Sequence, residues 1–558
     1  MKRAFWYDEH QKAEACEYAD SKEASVVYFA KKYRNVSITE NGAIGYRTSG
    51  HALLDLNFAV SSLRAKHEDY IVANFVKAYY ESPKYAIKWL FFLRDAREGL
   101  GERRSFKVIL KYLAISHPAI AGAVLPYIPE YGRYDDALVL LETPLAGDVA
   151  RMYREQLQAD LAAMAENKPV SLLAKWLPSI NTSSEATREY ARKLCRLFKM
   201  NAKEYRHMLS KLRAYSNVTE TKMSRSQWEE IDYNQVPAKA NLIYDSAFMK
   251  RDGARRYSYY ESLVAGEGKA SVKGLMPYEL VMREERSRYS EVCLSEEIMT
   301  ELLWKKMVEE GFDNEWGLED AIVVADGSGS MLSKVSGNAK VTARDVCNSL
   351  AIYFAEQLKG VFNNKAITFS NRPQFIDLSG ADSLKGKLEI MHAHCEVANT
   401  NIEAVFDLIL ELAKNAEIPR EELPKQVLVI SDMEFDAATC PCGWGFAVDS
   451  SWKKADSALF EVIEKKFEDC GYTMPRLIFW NVCGRSATIP KVSNGNGLCL
   501  MSGFSQNAMK IAANKAIKDP YKSLLAVLDS PRYAAVGEAL SHLTDWSQKP
   551  APAGEKTG

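Results

Sequence analysis

Asp326, Ser328 and Ser330 form a DxSxS pattern in the string DGSGS (326–330), immediately after the short apolar run AIVVAD (321–326). In an open α/β sheet the loops at the carboxyl ends of the strands converge on one crevice, so a carboxylate and two hydroxyls placed there can aim their oxygens at one point. Hard oxygen donors of this kind suit Mg²⁺, which keeps several waters and takes few protein ligands. Later loops offer more oxygens: Asp432 ends the run QVLVISD (426–432), and Thr400 lies in VANTN (397–401), just before the helical stretch NIEAVFDLIL. Asn399 and Asn401 flank Thr400, and either could supply that oxygen instead. Glu434 and Asp436 follow on the same loop as Asp432 and read as solvated side chains. A two-metal hydrolase would need a second carboxylate cluster about 4 Å from the first.

A second group of residues has the chemistry of polyanion binding. The run KRDGARRYSYYES (250–262) interleaves Arg251, Arg255 and Arg256 with Tyr257, Tyr259 and Tyr260. Such a mixture can neutralise phosphates and stack on unpaired bases. On a helix Arg251 and Arg255 share a face. Lys175, Lys193, Arg196, Lys199, Lys203, Arg206, Lys211 and Arg213 would extend this into a basic track. The alternative for both strings is structural, with tyrosines packed between helices and cations in surface ion pairs.

The charge distribution bears on that choice. Over 558 residues, 72 basic and 73 acidic side chains give a formal net charge of -1. Residues 1–310 hold 47 basic against 42 acidic side chains, and residues 311–558 hold 25 against 31. Residues 151–256 alone hold 20 against 12, so a polyanion would have to bind there.

Other chemistries find little support. There is no HExxH, no GxSxG and no Cys-His nucleophile pair, so the chain reads as a binding protein rather than an enzyme, with a metal-dependent nuclease as the remaining catalytic option. Arg94, Asp95, Arg97, Arg103 and Arg104 surround a Gly99-Leu100-Gly101 break without the GK[ST] of a nucleotide-binding loop, and read as a helix corner held by Arg-Asp pairs. In the turn Tyr131-Gly132-Arg133-Tyr134-Asp135-Asp136, an Asp caps the next helix. His392 and His394 near Cys395 lack a second ligand pair at zinc spacing. The 10 cysteines form no CxxC, the nearest approach being Cys440-Pro-Cys442, and suggest reduced thiols. No secretory signal or apolar run of about 18 residues is present, which makes a cytoplasmic protein without a membrane anchor the expectation.

The elements that must position these residues fall into two regions. Residues 1–50 read as an arm. Residues 51–312 repeat apolar side chains at three and four with short Pro, Gly or Asn breaks, the pattern of packed helical pairs in an irregular α-solenoid. Over 316–530 the runs AIVVAD, KAITFS (365–370), QVLVISD and RLIFWNVC (476–483) alternate with helical stretches, which predicts a doubly wound α/β sheet. Residues 531–558 read as a C-terminal helix and a disordered polar tail.

These strings also carry a resemblance. Asp326, Ser328, Ser330, Thr400 and Asp432 are similar, in order and setting, to the metal-ion-dependent adhesion site of von Willebrand factor A domains. The strings FFLRDAREGLGERRSF (91–106), LPYIPEYGRYDDAL (125–138) and LLAKWLPSIN (172–181) resemble the TROVE module, the helical-repeat (HEAT-like) ring of Ro ribonucleoproteins, in which a von Willebrand A domain follows. With LLDLNF (53–58) and MSRSQWEEIDYNQVPAKA (223–240), they are more similar still to an uncharacterised bacterial and plant family (DUF2828-like). The resemblance implies that Ser328 and Ser330 bind Mg²⁺ directly, that Thr400 does so directly or through water, and that Asp326 and Asp432 act mainly through water, leaving a position for an acidic ligand group. It implies RNA, structured or misfolded or small and non-coding, as the partner of the basic surface, contacted by Lys175, Lys203, Arg206, Lys211, Arg213, Arg251, Arg255, Arg256 and Tyr257. The alternative is a protein-protein adaptor whose metal takes a partner's carboxylate. A monomer is the expected state.

Overall fold

The computed structural model describes residues 35, 37–40, 44–216, 218–287, 294–312, 316–335, 340–369, 373–394, 402–415, 423–435, 457–485 and 488–543. Thr400, Cys395, Asp436 and the Cys440-Pro-Cys442 string lie outside them, as do most of the expected arm and the polar tail.

A two-stranded antiparallel ribbon comes first, β1 (Ser37–Ile38) with β2 (Ile44–Gly45). The longer helices of the following region are α1 (Ala52–Phe58), α2 (Glu68–Glu81), α3 (Pro83–Arg94), α4 (Arg104–Ser116), α5 (Ala146–Ala165), α6 (Glu185–Phe198), α7 (Ala202–Tyr215), α8 (Ala238–Val264), α9 (Pro277–Ser287) and α10 (Leu294–Phe312). Their ends follow local chemistry. Pro83 opens α3 at the first helical position, where its missing N–H costs nothing. Asn201 and Glu204 form a reciprocal capping box on α7. Successive helices pack as pairs, as the apolar spacing predicts.

The α/β region contains β3 (Ala321–Asp326), α11 (Ala343–Ala355), β4 (Lys365–Phe369), β5 (Gln374–Asp377), α12 (Leu384–Ala393), α13 (Ile402–Lys414), β6 (Gln426–Ser431), α14 (Ser457–Asp469), β7 (Arg476–Asn481) and β8 (Leu498–Ser502). Two further helices follow, α15 (Pro520–Leu528) and α16 (Ala534–Ser541). The sheet order is β5-β4-β3-β6-β7-β8, parallel throughout except for the antiparallel edge strand β5. Every residue of β3, β6 and β7 is buried, which explains why these strands read as unbroken apolar runs rather than alternating ones. All four strands expected from the sequence are present. The chain order reverses between β4 and β6 on either side of β3, so the crevice for a ligand opens at the carboxyl ends of β3 and β6.

The two regions share one continuous apolar core running from Leu53 to Leu540. Polar bonds cross the boundary inside it: the Ser61 N–H donates to Ser502 Oγ at 3.0 Å, and Asn481 Nδ2 donates to the Phe58 carbonyl at 3.0 Å. Phe504 joins the two ends of the helical region. The Arg64 guanidinium lies 3.6 Å from the centre of its ring, and the Tyr278 ring meets it edge-on at 5.6 Å. The 94–104 corner is held by ion pairs as the sequence suggested: Arg94 and Arg103 both bond the buried Asp136. No helix among the described residues is long and apolar enough to cross a membrane.

Candidate metal centre and nucleic-acid interface

Asp326 closes β3, and Asp432 is the residue after β6, so neighbouring parallel strands deliver the two carboxylates to the crevice. Both are about 1% exposed. Asp326 Oδ1 accepts the Ser328 N–H at 2.9 Å, which folds the DGSGS loop back over the strand end and brings Ser328 Oγ within 2.9 Å of Ser330 Oγ. Asp432 Oδ1 accepts the Glu434 N–H at 3.2 Å. Between them Met433 is in the left-handed region at φ 63, an uncommon conformation for so bulky a side chain, and its N–H donates to Ser431 Oγ at 2.9 Å.

Burial and the neighbouring Asp432 charge push the Asp326 carboxyl up to about 7, and burial also raises Asp432. Two buried, mutually repelling carboxylates with two hydroxyls beside them form an all-oxygen donor set that a divalent cation would relieve. The set therefore fits Mg²⁺ by its chemistry. It has two carboxylates rather than three, and no cluster of three acidic, His or Cys side chains suited to a metal occurs among the described residues. Of the five residues expected at this centre, the structure brings together Asp326, Ser328, Ser330 and Asp432, while Thr400 lies outside the described residues.

Three residues here were not singled out, or were misjudged, from sequence. Ser431 donates its hydroxyl to Asp326 Oδ2 at 2.6 Å and so links the two strand ends. Arg485, on the loop after β7, places Nη2 3.6 Å from Asp432 Oδ2. Glu434, expected to be solvated, is fully buried: its two oxygens accept the Glu40 N–H at 2.9 Å and the Arg485 N–H at 3.1 Å. Strand-end position would have pointed to Ser431. Nothing local pointed to Arg485, which arrives from a distant loop.

His392 Nε2 is 2.5 Å from Glu285 Oε1, and His394 Nδ1 is 2.8 Å from the Ile390 carbonyl.

The residues expected to touch RNA divide sharply. Arg256 is fully buried, donating to Asp245 Oδ1 at 2.7 and 3.1 Å and to Asn241 Oδ1 at 3.0 Å. Tyr233, Phe248, Tyr259 and Tyr260 surround its guanidinium at about 5 Å. It is a core cation, and the assignment to RNA is corrected. Arg255 is spent on the Trp228 and Ile231 carbonyls and on Asp252. Arg213 bonds the Ala174 and Leu177 carbonyls and Ser179 Oγ, each at 2.8 Å, stapling α7 to the segment that precedes α6. Lys175 pairs with Glu220 at 3.2 Å. Asp252 has non-helical backbone angles that break α8 between Arg251 and Arg255, so those two do not share one straight helical face.

Lys203, Arg206, Lys211, Arg251 and Tyr257 are exposed. The first three belong to the α6–α7 hairpin, residues 185–215, which holds 9 Lys and Arg against 3 Glu. Those glutamates are largely engaged: Glu185 binds Arg188 and Arg192, and Glu204 caps α7. Arg196, Lys199, Lys203, Arg206 and Lys211 remain as exposed cations of one sign. The structure thus shifts the weight of the basic surface from residues 250–257 to this hairpin.

The model of DUF2828, "Domain of unknown function (DUF2828)", matches residues 39–130 and 144–314, and that of DUF7788, "Domain of unknown function (DUF7788)", matches residues 320–527. A protein of Acanthamoeba polyphaga mimivirus, described as "Uncharacterized protein L728", is 28% identical over 531 residues, covering 89% of this chain and 87% of its own. Among solved structures, the Ro (RSR) protein of Deinococcus radiodurans aligns with a TM-score of 0.43 and 13% identity, over 83% of this chain and 100% of that one.

Proposed function

We propose that this chain, whose helical half belongs to the DUF2828 family, is an RNA-binding protein that holds RNA on the α6–α7 hairpin and a divalent cation at the end of its α/β sheet. The observation that carries the reading is the cluster Arg196, Lys199, Lys203, Arg206 and Lys211: five exposed cations on one hairpin with three carboxylates, two of which are already engaged. A solvated structural face usually interleaves both signs, whereas this one offers a phosphate backbone several contacts at once. The resemblance of the helical strings to the TROVE module makes RNA the first polyanion to test. Binding of a structured RNA, followed by fluorescence anisotropy between about 50 and 200 mM salt, tests it, because affinity for a polyanion must fall steeply over that range.

Asp326, Ser328, Ser330 and Asp432 would hold Mg²⁺, which would supply a Lewis-acidic position for an acidic ligand group. The chain's own part is to orient the two hydroxyls through the Asp326–Ser328 bond and to hold the two carboxylates in place beside them at the strand ends. This is a binding reading without turnover. RNA that is degraded only with divalent metal, and no longer degraded by Asp326→Ala, would instead make it a nuclease.

The adaptor reading draws support from one observation. Arg485 is about a third exposed beside Asp432, so a partner's carboxylate would meet a second cation there. A protein pull-down lost in Asp326→Ala while RNA binding persists would favour it.

A further inference from the structure

The β1–β2 ribbon is seated at the carboxyl end of the main sheet by a set of specific bonds. Ser37 Oγ and Thr488 Oγ1 are 3.0 Å apart, Thr39 donates its hydroxyl to the Phe435 carbonyl at 2.7 Å, and Tyr46 and Ile489 exchange backbone bonds at 2.8 Å each. Gly45 approaches this loop so closely that a Cβ there would lie 2.5 Å from Thr488 Cγ2, which fixes the ribbon's height above the sheet. Glu434 holds both sides of the seat, since its two oxygens accept the N–H groups of Glu40 and Arg485.

The result is a shared cation. Arg485 Nη2 is 3.2 Å from Glu40 Oε2 on the ribbon and 3.6 Å from Asp432 Oδ2 in the candidate cation site. Glu40 is half exposed and Asp432 is buried, so the attraction to Asp432 is the less screened of the two. A divalent cation held by Asp432 would cancel that attraction and repel the guanidinium, leaving Glu40 as its partner.

We propose that Arg485 is a cation-linked latch: it is shared between Asp432 and Glu40 when the site holds no divalent ion, and passes to Glu40 alone when the site is filled, tightening the hold on the N-terminal ribbon beside the metal. The inference rests on the cation-site reading above. It adds that occupancy is reported to residues 37–40 and 44–46, far from the basic hairpin in sequence.

Calorimetric titration of the full chain with Mn²⁺ alone, combined with hydrogen exchange over residues 37–46, tests the latch. Arg485→Gln removes the competing charge and is expected to tighten Mn²⁺ binding by about three- to tenfold, while Glu40→Gln strands Arg485 on Asp432 and weakens binding by a similar factor. Arg485→Lys, which keeps the charge, stays within about twofold of the wild type. Mn²⁺ slows exchange of the ribbon in the wild type and fails to do so in Glu40→Gln. Wild-type Mn²⁺ binding with both neutral variants unchanged, or with ribbon exchange indifferent to the ion, overturns the latch and leaves the cation site standing. No Mn²⁺ binding in either the wild type or Arg485→Gln overturns both.

Discussion

Asp95 and Arg532 form a charge pair at 2.8 Å that ties the corner after α3 to the segment after α15. Asp95 is fully buried and also accepts a second Arg532 N–H at 3.2 Å, the Tyr533 hydroxyl at 3.2 Å and the Arg97 N–H at 3.0 Å. The Arg532 guanidinium sits 4.5 Å from the centre of the Tyr131 ring, whose hydroxyl donates to the Arg532 carbonyl at 2.5 Å. The C-terminal segment is thereby part of the helical region's core.

Removing the cation of such a pair leaves the buried carboxylate uncompensated, whereas Arg532 without Asp95 would keep Glu130 at 2.9 Å. Arg532→Met leaves the fully buried Asp95 without its cation and is expected to cost about 3–5 kcal/mol, with the helical and α/β regions losing structure in one transition. Chemical denaturation followed by circular dichroism and by tryptophan fluorescence checks both points. Coincident wild-type and variant midpoints would contradict the first, and two separated transitions the second.

The two kinds of arginine in the basic region are expected to separate cleanly under mutation. Arg256→Met leaves the fully buried Asp245 with only the longer Arg283 contact at 3.5 Å and should destabilise the protein by about 3–5 kcal/mol. Arg206→Glu on the exposed face of α7 should change stability by less than about 0.5 kcal/mol while weakening RNA binding. Thermal melts read beside anisotropy titrations make this comparison directly.

What was legible in the sequence follows from range of interaction. β3, β4, β6 and β7 announced themselves because buried parallel strands are unbroken apolar runs, and Asp326 and Asp432 because strand ends converge. Edge strand β5 and the buried β8 are short, with turn-rich flanks, and were not singled out. Arg256 and Arg206 are indistinguishable as letters. Only the fold shows that Asp245 and four aromatic rings enclose the first while solvent meets the second. The Arg485–Asp432 approach is equally invisible, since the two residues come together from separate loops. The one continuous core could not be read from the sequence, where apolar spacing only divided the chain into two regions.

Glu284, on α9, gives a pH signature. It is buried, and burial followed by the Glu297 and Glu301 charges pushes its carboxyl up to about 7. A carboxyl raised on folding keeps its proton in the folded state where the unfolded chain has lost it, so its effect on stability is absent below about pH 4. The protein then loses stability as pH rises from there to about 7, and the loss is constant above. Glu284→Gln should flatten that part of the profile and be more stable than the wild type at pH 8, with little difference at pH 4. Denaturation midpoints across this range decide it, and identical profiles would contradict the assignment.

The Asp326–Asp432 pair predicts stabilisation by divalent metal. A ligand bound only by the folded state at about 100 times its dissociation constant adds about 2.7 kcal/mol. Mg²⁺ is therefore expected to raise the wild-type melting temperature by about 2 °C and to leave Asp326→Ala unmoved. A rise of equal size in both would assign the effect elsewhere.

The central claim is that RNA binds the α6–α7 hairpin through its exposed cations, and the salt dependence of binding tests it most directly. For wild-type protein and a structured RNA, log affinity should fall linearly with log salt concentration. Replacing Arg196, Lys199, Lys203 and Arg206 together by glutamine should reduce that slope by about 0.7–0.9 for each phosphate contact removed, with the fold intact. No binding at about 50 mM salt, or an unchanged slope in the fourfold variant, would contradict the account.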